Sequence, residues 1–176
     1  SEADRGTGMP SPARLPAWAR KASPLARGAR EVRVLLREKS LHTVCEEARC
    51  PNLGECFTRG TATFLLLGDR CTRRCGYCSV STARPLPPDP AEPGRVAEAA
   101  VRMGLRYVVL TSVDRDDLAD GGAAHWAAVI RAVHERTPEC SVEVLTPDFR
   151  GVPDALDVVL AARPEIQAAL RNGDSF

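Results

Sequence analysis

The sequence predicts an α/β protein with a parallel sheet, a partial (β/α) barrel of the TIM type behind an N-terminal cysteine-bearing extension. Three observations predict it. Short apolar runs at residues 63–67, 107–110 and 142–145 have the length and bounding turn residues of buried strands. Each precedes apolar residues at helical spacing: Val96, Ala99, Ala100 and Met103, then Trp126, Val129, Ile130 and Val133, then Leu156, Val159 and Leu160. Polar residues collect just after each run, at 70–78, 111–117 and 146–150. The carboxyl ends of parallel strands are where a β/α barrel builds its sites. Strand–helix alternation implies right-handed crossovers between parallel neighbours. Near-continuous apolar runs imply strands covered on both faces.

Residues 1–24 hold Pro10, Pro12, Pro16 and Pro24 among small and basic residues, the composition of an extended or partly disordered arm. Trp18 either anchors this arm or stands exposed on it. Across residues 1–39, nine Lys or Arg oppose Glu2, Asp4, Glu31 and Glu38. This end is therefore locally basic, a solvated face or a docking surface for an acidic partner. Residues 25–62 form the extension proper. Leu25, Ala29, Val32, Leu35 and Leu36 predict a helix over about 25–39, and Cys45, Cys50 and Cys56 follow it. Residues 63–164 read as about three βα units. Their first connection, residues 84–93, contains five prolines and is stiff, and Gly104 is placed to end the helix after it. Residues 165–176 read as a divergent tail.

The 176 residues suffice for one domain with a real core. A net charge of +1 gives no global field toward nucleic acid or a membrane surface. No apolar run approaches a membrane span, and residues 1–8 hold no signal-like apolar core. A start at Ser1 rather than Met points to processing or a fragment. Of seven cysteines, six form two tight triplets and Cys140 stands apart as a buried or free thiol. An odd count without a secretory signal favours cluster or metal ligation over disulfides.

Cys71, Cys75 and Cys78 form C-x3-C-x2-C directly after the first apolar run. Three thiolates can hold three irons of a cubane cluster and leave the fourth iron open. An open position is what a catalytic metal centre needs, by analogy with zinc. Cys45, Cys50 and Cys56 form C-x4-C-x5-C, with turn formers Pro51, Asn52 and Gly54 between them. Three thiolates neither close a tetrahedral zinc site nor complete a fully ligated cluster, so a fourth ligand must come from elsewhere. No Ser/His/Asp or Cys/His constellation is evident. His42 reads as packing or support beside the second triplet, and His125 and His134 as surface residues.

These residues carry a resemblance. The C-x3-C-x2-C loop after a barrel strand, with aromatic Tyr77 before its last cysteine, resembles the radical S-adenosylmethionine enzymes. Residues 41–52, 111–117, 120–122 and 145–151 resemble the lipoyl synthases among them, and the likeness runs from about residue 14 to residue 164. The resemblance implies a [4Fe-4S] cluster on Cys71, Cys75 and Cys78 whose open iron chelates S-adenosylmethionine. It implies an auxiliary [4Fe-4S] cluster on Cys45, Cys50 and Cys56 that is consumed as the sulfur source. Thr111, Ser112 and Val113 would contact the amino group of S-adenosylmethionine, although turn capping accounts for Thr and Ser equally well. Asp116, Asp117 and Gly121 match a family loop and could equally cap a helix.

The implied reaction uses a 5′-deoxyadenosyl radical to insert two sulfurs at C6 and C8 of an octanoyl chain on a carrier lysine. The implied partners are octanoylated lipoyl-carrier domains or the H protein, an electron donor such as ferredoxin or flavodoxin, and an iron–sulfur carrier. The implied compartment is the cytoplasm of a bacterium, or an organelle in a eukaryote. From Glu165 onward the likeness stops, and the residues from Thr63 are about half a complete barrel of about 250. A fragment with an uncovered edge strand is the expectation. Two other readings stay open: a non-catalytic iron–sulfur remnant, and a zinc-binding module.

Overall fold

The computed structural model describes residues 27–47, 50, 52–59 and 61–169. The basic arm with Trp18, and residues 170–176 of the tail, lie outside these residues.

The extension is built on one amphipathic helix, α1 (Arg27–Glu38). Its stripe of Val32, Leu35 and Leu36 is buried, and Leu41 beyond its end joins the same core. Burying each such side chain is worth roughly 1.5–3 kcal/mol. The chain then turns into a short strand, β1 (His42–Thr43), and two short helices, α2 (Val44–Glu47) and α3 (Leu53–Thr58). Thr43 Oγ1 accepts from the Glu46 amide at 3.3 Å and so caps α2. Leu53 and Phe57 fasten α3 to the core beneath.

Strand β2 (Thr61–Leu66) leads into the cysteine loop, where β3 (Arg70–Cys71) and β4 (Ser81–Thr82) pair in parallel. After the proline connector comes α4 (Glu92–Arg102), started by a proline in its first turn and followed by Gly104 at φ 59°. Strand β5 (Tyr107–Ser112), helix α5 (Ala123–Arg136), strand β6 (Ser141–Thr146), helix α6 (Ala155–Leu160) and strand β7 (Ile166–Ala169) complete the alternation.

The main sheet runs β1-β2-β5-β6-β7, with β1 antiparallel to β2 and every later pair parallel. The parallel strands are neighbours in chain order, with no reversal point. Sequential parallel neighbours are the order that a β/α barrel repeats. Among the described residues the sheet does not close. No described helix is long and apolar enough to cross a membrane.

Two expectations change. The strands are not covered on both faces. Ala62, Phe64 and Leu66, Val108 and Leu110, and Val142 and Val144 are fully buried against the helices. The alternate residues Thr61, Thr63, Tyr107, Val109, Ser141, Glu143 and Leu145 are only partly buried, because the helices pack on the other face; Leu65 and Thr111 are the buried members of this row. Tyr107 donates a hydrogen bond to Glu143 on that inner face. The second change concerns the tail, which contributes a fourth parallel strand beyond the three βα units expected. Glu165 clips it to β6: its amide donates to the Val142 carbonyl at 3.0 Å, and its Oε2 accepts from the Val142 amide at 2.6 Å. Ile-Gln-Ala-Ala shows no strand pattern, so pairing with β6 and not local propensity makes β7. The edge of β2 is covered by β1, with His42 opposite Leu65 and Thr43 opposite Phe64.

Gly122 enters α5 at φ 93°, and a Cβ there would lie 2.6 Å from Leu67 Cδ1. Gly122→Ala should cost about 1–2 kcal/mol and lower the melting temperature by about 2–8 °C. Gly94→Ala, on α4 with nothing within 4 Å, is the control and should melt no lower than wild type. Equal melting of the two variants would contradict this account of the α5 entry.

Candidate functional site

Cys71 closes β3, and Cys75 and Cys78 follow on the loop that returns to β4. All three line one cavity of about 390 Å³ at the carboxyl ends of β2, β5 and β6. Thr63, Leu65, Thr111 and Leu145 from the inner face form its floor, and Val113 and Asp114 border it. Val44 and Glu47 of α2, the helix that carries Cys45, also line it. The helix that carries Cys45 therefore borders the space that Cys71, Cys75 and Cys78 line.

The thiols differ in setting. Cys71 is buried, Cys75 half-buried and Cys78 exposed. Burial pushes the Cys71 thiol up, while amides of Arg73 and Asp114 donate to its sulfur at 3.4 and 3.3 Å and oppose that shift. Asp114, 7% exposed, places Oδ2 3.8 Å from the same sulfur. In the other triplet, burial also pushes the Cys45 thiol up, the Thr63 amide opposes this, and nearby Cys50 and Cys56 add to it. Cys50 and Cys56 are half-buried, and the Cys50 amide donates to the Cys45 carbonyl at 3.0 Å.

Among the described residues, no three His, Cys, Asp or Glu side chains gather tightly enough for one metal ion. A tetrahedral ion at 2.3 Å from each sulfur needs thiolates about 3.8 Å apart. A cubane cluster instead takes each thiolate at a different iron. Soft donors spread around one cavity fit the cluster, and the residues present suit it.

One arginine fastens the cysteine loop. Arg73 donates through Nε and Nη2 to Asp116 at 2.8 and 2.7 Å, and through Nη1 to Asp148 at 2.8 Å. Asp114 Oδ1 lies 3.8 Å from Nη1. Thr72 adds a second tie: its hydroxyl donates to the Asp114 carbonyl at 3.0 Å and accepts from the Asp116 amide at 3.2 Å. The hydrogen bonds to Arg73 hold the Asp116 and Asp148 carboxyls below the usual carboxylate range, and those carboxylates hold Arg73 firmly protonated. Arg115, 2% exposed, pairs bidentately with Asp117 at 2.8 and 2.7 Å.

The remaining candidates now have places. Thr111 and Ser112 are the last residues of β5 and not a turn after it. The Thr111 hydroxyl donates to the Leu145 carbonyl at 3.0 Å, and Ser112 Oγ accepts from Trp126 Nε1 at 3.2 Å. Asp116 and Asp117 cap no helix; Asp120 does, accepting from the Gly122 and Ala124 amides at 2.9 Å each. Gly121 lies against Phe149 in the turn before α5. His42 Nδ1 stands 3.7 Å from Glu47, and Cys140 is a buried thiol. The surface reading of the other histidines is corrected. His125 is bonded to buried Glu92 with its own side chain 10% exposed, and His134 is half-buried. Helical spacing put His125 off the apolar stripe, but α4 packs over that flank. Arg73 was legible only as part of the loop, because its three carboxylates come from two other strand ends.

Arg73→Gln should destabilise the protein by about 1–2 kcal/mol at neutral pH, discounted because Asp148 is a third exposed. The folded carboxyls titrate below the unfolded value of about 3.9, so the network contributes fully above that value. Its contribution is lost as pH falls through the lowered folded values. Denaturant melts of both proteins should therefore converge in acid, and a gap that persists there would count against the network.

Residues 65–170 match the family model of the Radical SAM superfamily, and residues 4–50 match the N-terminal domain of lipoyl synthase of the Radical SAM family. The lipoyl synthase of Methylococcus capsulatus is 59% identical over 157 residues, 89% of this chain and 49% of that protein. That of Thermus thermophilus is 57% identical over 154 residues, 87% and 48%. That of Thiobacillus denitrificans is 58% identical over 175 residues, 93% and 56%. The chain spans about half the length of the curated relatives it matches. With more than half of its residues on that model, the chain belongs to the Radical SAM superfamily and carries at its start the domain of the superfamily's lipoyl synthases.

Proposed function

We propose that the protein inserts sulfur as a lipoyl synthase, a radical S-adenosylmethionine sulfurtransferase that converts a protein-bound octanoyl chain to the lipoyl group at C6 and C8. The observation that carries this reading is the cavity lined by Cys71, Cys75, Cys78, Thr111, Ser112 and Val113, with the helix of Cys45 on its wall. Cys71, Cys75 and Cys78 would hold one [4Fe-4S] cluster, and Cys45, Cys50 and Cys56 a second. Bound there with S-adenosylmethionine, the first supplies the one-electron chemistry that an unactivated C–H bond requires.

The chain's own residues bind, orient and exclude water. The Thr111 hydroxyl, already donating to Leu145, keeps lone pairs that can accept from an ammonium group. The Ser112 hydroxyl, already accepting from Trp126, keeps its proton to donate to a carboxylate. Val44, Leu65, Val80, Val113 and Leu145 give the cavity apolar walls suited to a saturated chain and hostile to water. Arg73 is committed to carboxylates and holds the loop, and does not serve as a free cation for an anionic ligand. The substrate would arrive on an octanoylated carrier domain or the H protein. Electrons would come from a ferredoxin or flavodoxin, and clusters from an iron–sulfur carrier, in the cytoplasm of a bacterium.

Anaerobic reconstitution should load about eight irons and support S-adenosylmethionine cleavage on reduction. Replacing Cys71, Cys75 and Cys78 by Ser should remove about four irons and all cleavage. Replacing Cys45, Cys50 and Cys56 should remove about four irons, keep cleavage and abolish sulfur insertion. Clusters without cleavage in the unmodified protein would favour the non-catalytic remnant, and colourless protein holding zinc would overturn both.

A further inference from the structure

Outside the thiol-lined cavity lies a buried polar pair that nothing above employs. Glu92, in the first turn of α4, is 5% exposed. Its Oε2 accepts from the Leu67 amide at 3.0 Å and lies 2.6 Å from Nε2 of His125, in the first turn of α5. Burying a carboxylate and an imidazole is costly unless each is bonded, and apolar residues of similar size would pack there without that cost.

What the pair grips is an uncommon piece of backbone. Leu67 has φ 66° and Gly68 φ 94°. A left-handed leucine crowds its Cβ against the following carbonyl, and such strain persists only where the surroundings over-determine it. Here they do so from two sides. Glu92 holds the Leu67 amide, while the Leu67 side chain fills the space over Gly122 that a Cβ would occupy. This turn is the joint between β2 and the cysteine loop, with Cys71 four residues beyond Leu67. A small rotation at Leu67 would swing Cys71 relative to Asp114 and the end of β5.

We propose that Glu92 and His125 are positioning residues: by gripping the Leu67 amide they set the left-handed turn that aims the Cys71–Cys78 loop at residues 111–113, and thereby set how S-adenosylmethionine seats. His125 holds the carboxylate in place, and the carboxylate holds the backbone. The inference rests on the function proposed above for its ligand, but the grip itself can be read without any ligand.

Amide exchange in the protein without iron tests the grip. Glu92→Ala should speed exchange over residues 67–71 at least about tenfold, with α4 and α5 otherwise protected as in wild type. Glu92→Gln keeps an acceptor oxygen and should stay near wild type. Unchanged exchange in Glu92→Ala, or a glutamine variant no better than alanine, would overturn the clamp.

In the iron-loaded protein, Glu92→Ala should keep its iron while the KM for S-adenosylmethionine rises about tenfold and the ligand-induced change in the spectrum of the reduced cluster is lost. An unchanged KM and spectrum would overturn the link to ligand seating. If Glu92→Ala does not fold, His125→Asn, which leaves the carboxylate in place, should show the same pattern at about threefold. Wild-type behaviour of that variant would overturn the role of His125. Failure of the functional reading would look different, as absence of iron from the unmodified protein.

Discussion

A single guanidinium among three carboxylates decides where the thiols stand. Arg73 lies between Cys71 and Cys75, yet its partners Asp114 and Asp116 follow β5 and Asp148 follows β6. Without it, three negative groups would face one another beside the Cys71 thiol. With it, the loop after β2 is pinned to the loops after the two neighbouring strands. Charge-assisted hydrogen bonds of this kind are roughly twice as strong as neutral ones, and bidentate geometry fixes direction as well as distance. The loop could not be held so by apolar packing, because Arg74, Gly76, Tyr77 and Cys78 are exposed.

The sheet supplies the platform for that arrangement. Its helix-facing residues are fully buried, and α4 and α5 cover them with Val96, Ala97, Ala100, Trp126, Val129, Ile130 and Val133. This packing is rigid, so the strand ends are fixed points. The inner face is left partly open and partly polar, with Thr63, Tyr107, Thr111 and Glu143 alternating with apolar residues. A sheet face left open in this way differs from one filled as a core. At the β1 margin, β1 pairs with β2 and brings α2, the helix that carries Cys45, to the cavity wall through Val44 and Glu47. One short antiparallel contact thus joins the extension to the parallel sheet.

The two fastenings of the cysteine loop act at different points. Glu92 and His125 act at its root, on the backbone of Leu67, and Thr72 and Arg73 act at its first turn. Both use polar groups from elements far apart in sequence. The first ties the loop to α4 and α5, and the second ties it to the loops after β5 and β6.

The sequence by itself determined the kinds of element and the donor atoms. Periodicity marked the helices through Val96, Trp126 and Leu156, and local apolar runs marked three strands. The spacing of six cysteines carries the proposed chemistry, because the identity of a donor atom is a property of residues and not of their arrangement. Tertiary structure alone decided the rest. Ile166–Ala169 is a strand only because β6 offers it a partner. Thr63 and Tyr107 face an interior only because helices cover the other side of their strands. His125 is buried only because α4 crosses its flank, and Arg73 is a keystone only because three separated aspartates converge on it. Propensity and spacing are local and can be read along the chain, whereas burial and charge pairing depend on which distant segments meet.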